Sequence, residues 1–432
     1  MLNNYFKVSL RNIWKNKVAS LISILSLVLS LSFSMTLIFY AQNNRNFDNY
    51  IPQKESKYRL TFDVFGSKGR NIHSSSSPAP YGPYFTQNTP EIEQYVRFNR
   101  ERNTLLINKG KSSLKSDYVT WGDEGILDFF GIPLLHGEED LSDNNKLLIS
   151  ESIAKGLYGD PSEAIGKSLS INDSRTHTVT GVFQDIPENT SVKFETIGAI
   201  DVLQETIPWY YQNGENWGGY SFYTFFKFTQ NADLRKVIES FHQQYYDRHE
   251  IDPGDLPEEY MGFDLINLGA IHLHSDIDYE IVPTFSLYKV RILELLALII
   301  SIIGWINFMN IQSAKVPDRL KEIGIRRSLG ASLKSIRLLF LCEFLLINAF
   351  ALGLAVMLAV YWLPALLDTL FSVQLVTMKL DTYSIASLFI GILCSSFYPA
   401  YVAANQLSTS SIVQSFRTDL FAKLRDVFVS IQ

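Results

Sequence analysis

Apolar residues gather into four long runs, one near the N-terminus and three in the last third of the chain, with a polar stretch between them. Residues 18–40 run without a charge, and at about 1.5 Å per residue such a run crosses a bilayer core of about 30 Å. Residues 289–312 keep their charges, Arg291 and Glu294 among them, near the start, and residues 336–367 are long enough to cross with a tilt. Residues 382–404 complete the set, with Pro399 near the far end. Four transmembrane helices are therefore expected. The first run exceeds the apolar core of a cleaved signal peptide, and no A-x-A-like site follows Tyr40, so it reads as an anchor. Before it, residues 1–17 set Lys7, Arg11, Lys15 and Lys17 among Tyr5, Phe6, Leu10, Ile13 and Trp14, the spacing of a basic amphipathic helix on a membrane surface.

Residues 41–288 follow other periods. Tyr58, Leu60, Phe62 and Val64 alternate with Arg59, Thr61 and Asp63, which predicts a half-buried strand. Residues 78–89 read as a loop and a short helix, and residues 95–98 as a returning strand. The order recurs: residues 220–228 are strand-like, Leu234, Val237, Ile238, Phe241 and Tyr245 share a helical face, and residues 263–268 form a further strand. Two strand-helix-strand units so far apart imply an inserted subdomain, at about residues 100–217, with a short helix at 150–157 and an alternating strand at 176–183.

Charge then sets an orientation. The stretch at residues 307–331 carries Lys315, Arg319, Lys321, Arg326 and Arg327 against Asp318 and Glu322, the N-terminal segment is basic, and the tail at residues 405–432 carries Arg417, Lys423 and Arg425. The short loop at residues 368–381 has one basic residue, Lys379. Short loops rich in Lys and Arg stay in the cytoplasm, so both termini are expected inside and residues 41–288 outside. The net charge of -6 over 432 residues adds little to this. Both cysteines, Cys342 and Cys394, fall in apolar runs, which leaves no disulfide framework for the outer domain.

Within the basic loop, Arg319, Glu322 and Arg326 share a helical face, Ile325, Leu329, Leu333 and Ile336 form an apolar stripe, Gly330 suits the position after a last turn and Ser332 an N-cap. Candidate chemistry elsewhere is thin. Gly166-Lys167-Ser168 has Pro161 where a phosphate loop needs glycine. His272 and His274 would face one side of a strand, but no third metal ligand converges on them, and Glu138 with Glu139 reads as a solvated face. In the membrane, Glu343 is an ionisable group placed to pair with a basic neighbour or to snorkel, and Asn307 and Asn310 are placed for interhelical hydrogen bonds.

The wording of several stretches resembles one family. N-F-M-N and K-E-I-G-I-R-R-S-L-G-A-S around the loop, I-L-D-F-F-G-I-P-L-L-H-G from Ile126, L-I-S-E-S-I-A-K-G-L-Y-G-D from Leu148 and T-V-T-G-V-F-Q-D-I-P-E-N-T from Thr178 are similar to FtsX-like and MacB-like ABC transporter permeases. That resemblance implies an α+β membrane protein with a large extracytoplasmic α/β porter-like domain carrying a β-rich inserted subdomain. It also implies a bacterial inner membrane location and no catalytic site in the chain, with ATP and Mg bound by a partner ATPase. Residues 313–335 would be the coupling helix, with Arg319, Glu322, Gly324, Arg326, Arg327 and Gly330 at the ATPase contact. The partners it implies are a cytoplasmic ABC ATPase, a second permease half (a second copy, a paralogue or a missing C-terminal half) and a periplasmic substrate or protein, with no nucleic acid. Export, lipoprotein, peptide or drug release, regulation of a periplasmic cell-wall hydrolase, and a membrane sensor all remain open at this point.

Overall fold

The computed structural model describes residues 2–405 apart from 16, 66–70, 109–111, 173–174, 207–219, 251, 253–261, 275–276, 278–279, 316–323, 372–379 and 381. It divides into a helical unit, residues 1–43 with 290–432, and a sheet unit, residues 44–289. The chain begins with α1 (Leu2–Lys15) and α2 (Lys17–Arg45).

The sheet unit then runs β1 (Lys57–Phe65), β2 (Asn71–Ser74), α3 (Tyr81–Asn88), β3 (Ile92–Asn108), β4 (Ser112–Gly122), α4 (Ile126–Phe130), β5 (Leu134–Gly137), β6 (Lys146–Ser150) and α5 (Glu151–Tyr158). It continues with β7 (Ser168–Ile171), β8 (Arg175–Phe183), β9 (Thr196–Ala199), α6 (Val202–Thr206), β10 (Tyr223–Phe228), α7 (Leu234–His249), β11 (Gly262–Asn267) and α8 (Ile271–His274). All of the strands join one sheet in the order β11-β1-β10-β3-β4-β9-β6-β8-β5, with β2 beside β1 and β7 against β3 and β8.

The units β1-α3-β3 and β10-α7-β11 interleave as β11-β1-β10-β3, every neighbour antiparallel. This is the split arrangement in which a strand of one unit sits between two of the other. Its helices cover one face, where Leu60, Phe62, Tyr81, Phe85, Phe226, Phe241 and Phe263 form a core and the Phe85 and Phe241 rings stack with centroids 4.1 Å apart. The strands inserted between β3 and β10 extend this sheet, because β3 outruns β10: it pairs with β10 as far as Phe98 and with β4 from Phe98 to Asn108.

One expectation changes. Polar Arg59 and Thr61 are as fully buried as apolar Leu60 and Phe62, and Arg59 makes a two-pronged ion pair with Glu280, both contacts 2.6 Å. A charge at a buried position is tolerated because the carboxylate meets it in fork geometry. Alternation alone does not reveal that partner, which is far away in sequence.

The helical unit resumes with α9 (Leu287–Ala314), a short α10 (residues 324–328), α11 (Leu333–Met357), α12 (Leu363–Phe371) and α13 (Thr382–Asn405). A π-helical turn, Leu358–Trp362, joins α11 to α12. Pro364 explains it: proline has no N–H for the preceding turn and its ring crowds the carbonyl there, so the helix widens. Four helical stretches, Ser20–Arg45, Leu287–Ala314, Leu333–Thr369 and Thr382–Val402, are long and apolar enough to cross a membrane. Leu27, Leu31, Met35, Phe39, Phe308, Phe344 and Ile347 form their shared core. The architecture is that of an α+β membrane protein.

Candidate functional site

Of the basic loop, residues 324–330 before α11 are described. Gly324, Arg326 and Arg327 lie on α10, and Gly330 follows it, while Arg319 and Glu322 lie outside the described residues. Gly330 has φ +87°, its N–H donates to the Arg327 carbonyl at 3.0 Å, and the Ala331 N–H donates to the Arg326 carbonyl at 3.0 Å. These bonds satisfy carbonyls that the end of a helix leaves open, and the left-handed backbone they require suits glycine. A Cβ on either glycine would meet nothing within 4 Å. At Gly330, therefore, conformation and not space calls for glycine. Ser332 then caps α11, its hydroxyl accepting from the Ser335 N–H at 3.2 Å.

The apolar stripe divides here. Ile336 is buried in the helical core, whereas Ile325 is 62% and Leu329 82% exposed. With exposed Arg327 they make a mixed apolar and basic surface.

Glu343 is buried on α11 and accepts from the Asn12 amide of α1 at 3.4 Å. An amide from an element more than 300 positions earlier in the chain meets it, and Arg337 lies over the Tyr401 ring at 5.1 Å. Asn307 and Asn310 are exposed on α9.

The polar bonds between helices fall on residues that sequence reasoning passed over. The Ser34 hydroxyl lies 2.6 Å from that of Ser301 and donates to the Ala297 carbonyl, and the Gln312 amide donates to Ser23. Both contacts tie α2 to α9. Asn348 of α11 donates to Ser396 and accepts from Ser395 of α13, at 3.1 and 3.2 Å. In lipid such bonds join helices because hydrocarbon offers no alternative partner. Serines and amides within apolar runs were the available signal.

A second cluster lies in the sheet unit where its two chain ends meet. Asp48 is buried with φ +57°, and its carboxylate accepts from the Ser191 N–H at 2.7 Å, the Ser191 hydroxyl at 2.6 Å and the Thr190 hydroxyl at 3.0 Å. Burial pushes its pKa up, and the hydrogen bonds from Ser191 and Thr190 pull against that. His272 is not on a strand. It sits on α8, buried against Phe47, whose ring it stacks on, while its Nε2 lies 2.8 Å from Asn44 Oδ1. Its carbonyl accepts from the Phe285 N–H at 2.7 Å, just before α9. Burial lowers its pKa to about 4. His274, two positions on, is exposed, since residues two apart on a helix diverge. Among the described residues no three His, Cys, Asp or Glu side chains are grouped to hold a metal. Glu139, read as solvated, accepts instead from the Leu127 N–H of α4 at 3.0 Å.

Four membrane-length helices and a separate α/β sheet unit in one chain define a multi-pass membrane protein with a large folded domain. The chain belongs to the MacB-like and FtsX-like ABC transporter permease family: residues 20–244 match the MacB-like periplasmic core domain and residues 294–412 the FtsX-like permease C-terminal domain. This makes it a bacterial membrane protein. The macrolide export ATP-binding/permease protein MacB of Campylobacter jejuni is 37% identical over 116 residues, which is 25% of this chain and 17% of that protein. A MacB protein of Yersinia pestis is 34% identical over 122 residues, 26% of this chain and again 17% of the relative. The match thus spans less than a fifth of those relatives. Among solved structures, a domain of a protein described as a permease from Porphyromonas gingivalis aligns with TM-score 0.44 and 21% identity over 50% of this chain and 91% of that one. The periplasmic region of MacB from Actinobacillus actinomycetemcomitans aligns with TM-score 0.36 and 15% identity, over 52% and 92%.

Proposed function

We propose that the chain is the non-catalytic permease subunit of an ABC transporter, in which a separate cytoplasmic ATPase drives movement of the outer domain against an extracytoplasmic substrate. The observation that carries this reading is the surface of α10. Ile325 on α10 and Leu329 directly after it are exposed beside Arg327, between two membrane-length helices and just before the Gly330 turn. An apolar pair that exposed, rimmed by a cation, is the surface of a docking element. Force applied there reaches α9 and α11 directly, because the loop joins them. From α9 it reaches α2 through the Ser34–Ser301 and Gln312–Ser23 bonds. Those two helices bound the outer domain in sequence, and the His272 cluster joins the end of α2 to the segment before α9. ATP and Mg act in the partner, and work is done on the substrate side without a pore through the helices.

Mild solubilisation from the native membrane and mass spectrometry of the co-isolated proteins tests this. An ABC ATPase is expected with the unmodified protein and at least tenfold less of it, an estimate for loss of a central apolar contact, with Leu329→Asp combined with Arg327→Glu, both variants reaching the membrane at normal levels. Recovery of no ATPase with the unmodified, folded protein refutes the assignment.

A further inference from the structure

The two sides of α1 differ in what they meet. Ser9 is buried, Ile13 packs against the core of the helical unit, and Asn12 donates to Glu343 of α11. On the other side Lys7, Arg11 and Trp14 recur at helical spacing, are all exposed and share one face. Lys17, the first residue of α2 and also exposed, places its Nζ over the Trp14 ring, 5.3 Å from the centroid. Among the described residues no carboxylate pairs with Lys7, Arg11 or Lys17. Lys17 is the last charge before the uncharged run at residues 18–40. Directly beyond it Leu21, Ile22 and Leu25 of α2 are 57%, 52% and 50% exposed. Exposed cations thus stand where an exposed apolar helix face begins.

We propose that this juncture is a binding site for an anionic phospholipid of the adjoining leaflet, with the phosphate held by Arg11, Lys7 and Lys17 and the acyl chains lying along Leu21, Ile22 and Leu25. The planar guanidinium fork takes two phosphate oxygens at once, and the two ammonium groups add compact positive charge. Trp14 suits the headgroup level, where an amphipathic ring has one part in apolar surroundings and its N–H in a wet one. A zwitterionic headgroup brings its own cation, which the three basic residues repel, so the site selects net negative charge. A free phosphate ion meets the cations but gains nothing from α2, whereas a lipid engages both at once. The site uses no residue of the α10 surface, so it stands whether or not an ATPase docks there.

Native mass spectrometry of the purified full chain in a neutral detergent tests it, with phosphatidylglycerol and phosphatidylcholine of identical acyl chains added in equal amounts. The unmodified chain is expected to retain phosphatidylglycerol in preference. Arg11→Gln is expected to lower that preference about fivefold, which is about 1 kcal/mol per basic residue near an anionic headgroup converted at about 1.4 kcal/mol per tenfold. Lys7→Gln, Arg11→Gln and Lys17→Gln together are expected to abolish it, and the single variant gives the reading should the triple one not fold. Removing as much charge from the sheet unit, with Lys155→Gln, Arg235→Gln and Lys236→Gln, all exposed, is expected to leave the preference intact. Excess inorganic phosphate is expected not to displace the lipid. Equal retention of the two lipids by the unmodified chain, equal losses in the α1 and sheet-unit variants, or displacement by inorganic phosphate overturns the proposal.

Discussion

Asp48 and His272 each give up water to join parts of the chain that are distant in sequence. Asp48 adopts a left-handed backbone that aspartate tolerates better than most residues, and in return reaches the 190–191 turn with both oxygens. His272 is buried uncharged, and that has a pH consequence. Its pKa is lowered from 6.5 to about 4 by burial, so between those values the unfolded chain binds the extra proton and the folded one does not. Stability is present above pH 6.5 and is lost as pH falls through that window. A thermal melting series from pH 7 to pH 4 is expected to show a decline of the order of 2 kcal/mol attributable to this residue, reduced in His272→Gln relative to the parent. An equal slope in both proteins would assign the acid sensitivity to other groups, of which His177, also lowered to about 4, is the first to test.

At the scale of elements, glycines on the membrane-length helices do opposite things according to what faces them. A Cβ on Gly391 would sit 2.0 Å from the Trp305 ring, so α13 and α9 approach only because that side chain is missing. A Cβ on Gly353 of α11 would meet nothing within 4 Å. Gly391→Ala is therefore expected to lower stability by about 1 to 3 kcal/mol through overpacking. Gly353→Ala is expected to leave it unchanged or raise it by up to about 1 kcal/mol through helix propensity. Thermal unfolding of both purified variants in one detergent decides this, and equal behaviour would mean that Trp305 moves aside. The contrast also explains why periodicity predicts helices well and their contacts poorly: both glycines lie in equally apolar sequence.

At the scale of the molecule, the sheet unit has its own cores, around Phe85 and Phe241 on one side of the sheet and around Phe98, Phe130 and Phe225 elsewhere. Its chain ends are drawn together, since His272 contacts Asn44 and Phe285. A domain with its own core and adjacent ends folds alone. Residues 44–289 expressed separately are expected to give a single cooperative thermal transition with folded-protein dispersion in NMR, and a molten spectrum would show that the helices are needed to close it.

The four apolar runs, the basic loop and the strand-helix-strand order could be read directly, because a bilayer demands about twenty apolar residues and a sheet or helix face imposes its period on the chain. The left-handed turn at Gly330 and the cap at Ser332 were equally local and equally legible. Partners were not. That Arg59 meets Glu280, that Glu343 meets Asn12, that His272 turns inward on a helix, and that Ser34 rather than Asn307 or Asn310 joins α2 to α9 all depend on which faces meet after folding. A buried polar group must find its complement wherever the chain brings one, and sequence distance places no limit on where that is.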